Sequence, residues 1–195
     1  MNEPLIFQAL DPVIRALDAL RIPYQIVGSV ASSAYGIART TLDVDLEADF
    51  RDSQVSPLIE QLQGAFYLDE DRVRDAVMRR SSFNVIHLES MVKIDIFLLK
   101  SKSYNQAAFA RRRVETFGED LPPRTLCIAS PEDVILNKLD WYQEAGRISE
   151  RQWTDVLGVL KVQQSSLDME YLHVWAEKLG LADLLAQALR DAGIR

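Results

Sequence analysis

Apolar residues recur every three or four positions at Ile6, Leu10, Val13, Leu17 and Leu20, the spacing of one face of an amphipathic helix. Pro12 is expected to split or kink that helix. A short apolar run over residues 22–27 then reads as a strand, and Gly28 and Ser29 end it before a helix-compatible stretch over residues 30–35. Leu42, Val44 and Leu46 alternate with Asp43, Asp45 and Glu47, two sets that a strand puts on opposite faces. Helical spacing returns at Val55, Leu58, Ile59 and Leu62, and residues 83–88 and 92–99 read as a hairpin turning at Glu89 and Ser90.

Past residue 100 the character changes. Residues 101–123 are mostly polar and carry Arg111, Arg112 and Arg113, expected on the exposed face of one linking helix. Residues 124–128 form a last strand. Ser130 fits an N-cap, Pro131 the first helical position, and Glu132 and Asp133 the positive end of a helix running to about residue 145. Helical spacing continues at Trp153, Val156, Leu157 and Leu160, at Leu172, Trp175 and Leu179, and at Leu181, Leu184, Leu185 and Leu189. The C-terminal third is therefore a small helical bundle, with Trp141, Trp153 and Trp175 expected in its core.

Composition narrows the class. With 195 residues, 48% apolar and 26% charged, the chain suits one domain or two small lobes around one core. A lone Cys127 makes no intramolecular disulfide, and the Met-Asn-Glu-Pro start shows neither a basic nor an apolar leader segment, so a cytoplasmic protein is expected. No apolar run approaches the roughly 18 residues that span a bilayer, and no membrane partner is expected. The net charge of −7 opposes sequence-independent adhesion to nucleic acid, which depends on clustered cations, although a local basic patch can still take a polyanion. His87 and His173 have no Cys or His partner at ligand spacing.

The chemistry begins with the acids. Asp43 and Asp45, two apart on a strand, point the same way while Val44 and Leu46 anchor the other face. Such a pair repels itself unless a cation intervenes. Asp95, between Ile94 and Ile96 on a second strand, is a third acid of the same kind. Hard divalent ions with oxygen ligands, Mg²⁺ above all, relieve that repulsion. Two of them about 4 Å apart hold the attacking and leaving oxygens of a phosphoryl displacement. Gly28 at a strand end lets a phosphate approach the backbone, the following helix offers its amides, and Ser29 adds a hydroxyl. Arg39 fits a substrate contact and a structural ion pair equally. Lys93 is expected to alternate away from Asp95 into solvent. Lys138 projects from the flank of the Ile135, Leu136 and Leu139 face, where solvation and function are both open.

These motifs resemble the nucleotidyltransferase superfamily that shares its catalytic fold with DNA polymerase beta. Val27-Gly28-Ser29, Leu42-Asp43-Val44-Asp45-Leu46 and Ile94-Asp95-Ile96 match its pattern position by position. Arg39-Thr40-Thr41-Leu42-Asp43 looks like the Arg-x-Ser/Thr-x-Asp form of its AbiEii-like toxin, or minimal nucleotidyltransferase, branch. Lys138, Arg147, Arg151 and Asp155 stand at spacings comparable to that branch's helical lobe, with Gln152 where an aspartate is expected.

The resemblance implies an α+β chain: a small mixed sheet flanked by helices over residues 1–123, the catalytic lobe, followed by a C-terminal helical bundle over residues 124–195. It implies transfer of a nucleoside monophosphate from an NTP to an acceptor hydroxyl, with pyrophosphate released. Asp43 and Asp45 would bind two Mg²⁺ or Mn²⁺ ions, and Asp95 would bind one and help deprotonate the acceptor. Gly28, Ser29, Arg39, Lys138 and Asp155 would serve the nucleotide. RNA, protein and small molecules all fit as acceptor. The alternative is a non-catalytic protein that binds a nucleotide or a protein partner, such as one half of a toxin–antitoxin pair.

Overall fold

The computed structural model describes residues 4–41, 43–117 and 123–194; Leu42 and residues 118–122, which adjoin the expected lobe boundary, lie outside the described residues. The chain runs α1 (Leu5–Ala19), β1 (Tyr24–Val27), α2 (Gly28–Tyr35), β2 (Asp43–Ala48), a 3-10 turn (Asp52–Gln54), α3 (Val55–Leu62), β3 (Phe66–Tyr67), α4 (Glu70–Arg79), β4 (Ser82–His87) and β5 (Lys93–Leu98). Then follow α5 (Ser103–Ala110), β6 (Arg113–Phe117), β7 (Arg124–Ile128), α6 (Pro131–Glu144), α7 (Glu150–Gln163), α8 (Met169–Lys178) and α9 (Ala182–Ala192). α1 runs through Pro12, with Leu10, Val13, Ile14 and Leu17 buried along one side, so of the split or kink expected at the proline the split does not occur. Ser130 caps α6 by accepting the Asp133 N–H, as expected.

The strands form one mixed sheet in the order β3-β4-β5-β2-β1-β7-β6. β2 pairs in parallel with β5, and β1 in parallel with β7. β7, from the stretch read as the C-terminal lobe, therefore lies inside the sheet beside β1. β6 joins its far edge in antiparallel pairing. The expected hairpin is β4 and β5, antiparallel, and His87 braces its turn with Nδ1 2.8 Å from Ser90 Oγ.

Alternation divides the sheet cleanly. Val44, Leu46, Ile94, Ile96, Phe83 and Val85 are buried on one face, where α1 and α4 pack. The opposite face is built in rows. Gln25, Glu47, Phe97 and Ser82 make one, Val27, Asp45, Asp95 and Asn84 the next, and Asp43, Lys93, Ile86 and Tyr67 the third. α2 covers this face over β1 and β2 and packs in turn on α6 and α7, so the acids lie at the margin between covered and open sheet. Among the described residues no helix is long and apolar enough to cross a membrane.

Candidate active site

Asp45 and Asp95 are direct partners in the parallel β2/β5 register, and period-two alternation brings Asp43 to the same face. Burial pushes the Asp45 carboxyl above its ordinary range, Asp95 and Asp43 push it further, and Lys138 and the Ser29 N–H pull against them. That N–H belongs to the first turn of α2, whose N-cap residue, Val27, makes no side-chain cap bond of its own. The turn into α2 puts Gly28 at φ +63°, and a Cβ there would stand 2.0 Å from Asp45 Oδ2. Only glycine lets strand end, helix start and carboxylate meet this closely.

Lys93 corrects the sequence reading. It lies two residues before Asp95 on β5, so both side chains share a face, and its Nζ is 2.7 Å from Asp95 Oδ2. That hydrogen bond raises the Lys93 pKa, and although desolvation opposes it, the charges of Asp95, Asp43 and Asp45 add to it. Among the described residues no three His, Cys, Asp or Glu side chains are gathered into a ready metal cage. The donors nonetheless suit a hard cation: carboxylates on adjacent parallel strands, with an ammonium already among them.

A second cluster stands behind Asp45. Lys138, 2% exposed, donates to Asp155 Oδ2 at 2.8 Å and Gln152 Oε1 at 2.9 Å. It is not solvated. Burial lowers its pKa while Asp155 and Asp45 favour the charged form. Asp155 also accepts from Arg39 Nε and a terminal nitrogen, each at 3.1 Å, and Arg39 reaches Ser29 Oγ. Although burial opposes it, these partners hold the Asp155 pKa below its ordinary range. Gly28, Ser29, Arg39, Lys138 and Asp155 thus form one connected group beside the acids. Arg147 and Arg151 do not join it and are exposed.

No protein-family model matches the sequence, and no curated protein matches it significantly. Solved structures do resemble it in three dimensions. The solution structure of the antibiotic-resistance factor ANT(2'')-Ia superposes with a TM-score of 0.54 at 15% identity, covering 94% of this chain and 92% of its own. A crystal structure of ANT(2'')-Ia in complex with adenylyl-2''-tobramycin gives 0.54 at 16%, covering 88% and 95%. An antigenic nucleotidyltransferase-like protein from Paracoccidioides brasiliensis gives 0.51 at 17%, covering 95% and 92%. The chain has the nucleotidyltransferase fold.

Within this nucleotidyltransferase fold, a cleft of ≈ 410 Å³ opens between sheet and α6, touching Gly28, Glu47, Phe97, Tyr104, Lys138 and Trp141. Sequence reading missed its walls. Trp141, expected in the core, is half-buried and lines the cleft. Glu47 was detectable, because it continues the Asp43 and Asp45 alternation; burial raises its pKa although Gln25 Nε2 donates to it at 2.7 Å. Arg111 and Arg113 are not an exposed helix face either. They reach Glu132 Oε2 at 3.3 and 3.5 Å, because Glu132 is fully buried and a buried carboxylate requires cations.

Proposed function

We propose that this protein is a divalent-metal-dependent nucleotidyltransferase that moves a nucleoside monophosphate from an NTP to an acceptor hydroxyl and releases pyrophosphate. The observation that carries the reading is the Asp45 and Asp95 register pair, set against the Gly28 turn and the start of α2. A strand end, a glycine and the amides of a helix start suit phosphate, and carboxylates on the same face suit its counter-ions. Asp43, Asp45 and Asp95 would hold Mg²⁺ or Mn²⁺, two ions with substrate present, which supply charge neutralisation at the reacting phosphate.

The chain's own groups do the remaining work. Gly28 admits the triphosphate to the backbone, Ser29 offers its hydroxyl, and Lys138 and Arg39 supply positive charge, with Asp155 fixing both cations in place. Asp95 would help take the proton of the attacking hydroxyl. The cleft volume falls in the usual range of roughly 300–1,000 Å³ for small-molecule sites, and the neighbour crystallised with adenylyl-2''-tobramycin supports an acceptor of that size. The joining of Arg39, Lys138 and Asp155 supports kinship with the AbiEii-like branch, whose pattern those residues follow.

The test supplies each of the four NTPs, labelled at the α-phosphate, with Mg²⁺ or Mn²⁺ to metabolite, RNA and protein pools. Label appearing in a metabolite fraction with wild-type protein, and not with Asp45→Asn, is the expected result. Label confined to RNA or protein would refute the small acceptor, and no transfer from any NTP would refute the activity.

A further inference from the structure

The cations around the candidate site are not held alike. Lys138 is fixed by Asp155 and Gln152, and Arg39 by Asp155 and Ser29, partners outside the carboxylate triad. Lys93 instead spends its charge on the triad itself. Its Nζ is 2.7 Å from Asp95 Oδ2, with side chains 42% and 23% exposed. Lys93 is the register partner of Asp43, and Asp95 that of Asp45, so the ammonium hangs from the same corner of the sheet as all three acids. Their fields act on it together.

We infer that Lys93 is the resident counter-ion of the carboxylates and that a divalent ion must displace its ammonium to enter, so that Lys93 keeps metal affinity low until a nucleotide arrives. The inference rests on the proposed reading of Asp43, Asp45 and Asp95 as metal ligands. A lysine is suited to such a place. Its flexible stem lets the head group leave without moving the strand, and a half-exposed ion pair is weak enough to exchange. A triphosphate supplies anionic oxygens to the incoming metal and to the released ammonium, so metal and NTP favour each other's binding. Lys93 is thus a positioning residue: it touches a ligand carboxylate and acts through the charge it cancels.

The experiment measures Mn²⁺ binding to the metal-stripped full chain by calorimetry, with and without ATP, for wild type, Lys93→Gln, Lys93→Met and Lys93→Arg. The neutral variants should bind Mn²⁺ about tenfold more tightly than wild type without ATP, a coupling of ordinary size, and Lys93→Arg should stay near wild type. ATP should improve Mn²⁺ affinity more for wild type than for the neutral variants. Melting curves check that each variant is folded, and the second neutral substitution covers a failure of the first. Wild type that takes up Mn²⁺ while both neutral variants bind equally or more weakly would overturn the inference alone. No Mn²⁺ uptake by any form, with or without ATP, would overturn the metal-site reading along with it.

Discussion

At Gly28 a methyl group would meet Asp45 Oδ2 at 2.0 Å on a backbone with φ +63°, so glycine and carboxylate are compatible only as a pair. Gly28→Ala is expected to lose about 2 kcal/mol or more, combining a left-handed strain of about 1–3 kcal/mol with the collision. In an Asp45→Ala background part of that loss should return, since the clash with the carboxylate is removed while the 3.0 Å approach to the Cβ of residue 45 and the strain remain. Urea unfolding of the four proteins in the cycle measures this, and strictly additive losses would show that the carboxylate is not what crowds the glycine. Asp45→Asn separates function from stability at the same position. Transfer should fall about a hundredfold or more, as when a strong electrostatic contribution is deleted. Stability without metal should hold or rise at neutral pH. The folded pKa of Asp45 is raised by burial and by Asp95, so ionising it costs stability as pH rises from the unfolded value through the folded one. Below the unfolded value the variant and wild type should match.

Three helices bring the basic half of the site together. The end of α2 presses on α7 where neither chain has room for a side chain: a Cβ on Gly36 would lie 2.8 Å from Val159 N, and one on Gly158 3.3 Å from Ile37 N. That close approach brings Arg39, just past α2, to Asp155 on α7, and packing of α6 on α7 delivers Lys138 to the same carboxylate. Asp155→Asn therefore leaves two largely buried cations short of their counter-charge, and a loss of about 3 kcal/mol is expected at neutral pH. The folded pKa of Asp155 is depressed by Arg39 and Lys138 against the pull of burial. Its contribution is therefore complete above the unfolded carboxylate value and disappears as pH falls through the folded one. The gap between variant and wild type in urea midpoint should be the same at about pH 7 and about pH 5 and shrink near pH 3. A gap that widens on acidification would contradict the pairing.

At the scale of the molecule, the sheet mixes strands from both sides of the expected lobe boundary, with β7 beside β1 and β6 at the far edge, and α6 follows β7 and lines the cleft. Nucleotide bound there is expected to stabilise sheet and helices together. ATP with Mn²⁺ at about 100 times its dissociation constant should add about 2.7 kcal/mol, a rise in melting temperature of roughly 5–10 °C for a chain of this size. With EDTA that rise should largely vanish, because without metal the carboxylates of Asp43, Asp45 and Asp95 repel a triphosphate, and the nearby cations Lys93, Lys138 and Arg39 are already paired with Asp95 and Asp155. An equal rise in both conditions would count against metal-bridged binding.

Local chemistry was readable wherever one element sufficed to express it. Period-two alternation marked β2, apolar runs around a turn marked β4 and β5, period 3.6 marked α1, α3 and the C-terminal helices, and the Ser-Pro-Glu-Asp start of α6 announced its cap. The acids were visible because a charge flanked by apolar strand residues is out of place. β3, α4 and β6 escaped, one because two residues hold no period and the others because their apolar positions are few among charges. Lys93 and Glu47 were within reach, since each merely continues an alternation. What no periodicity encodes is register and docking: that Asp45 faces Asp95 across a parallel pair, that Lys138 and Arg39 share Asp155, and that Arg111 and Arg113 turn inward to Glu132. Such contacts join residues far apart in the chain, and their geometry is decided only when the apolar faces of sheet and helices pack together and each buried charge must find its partner.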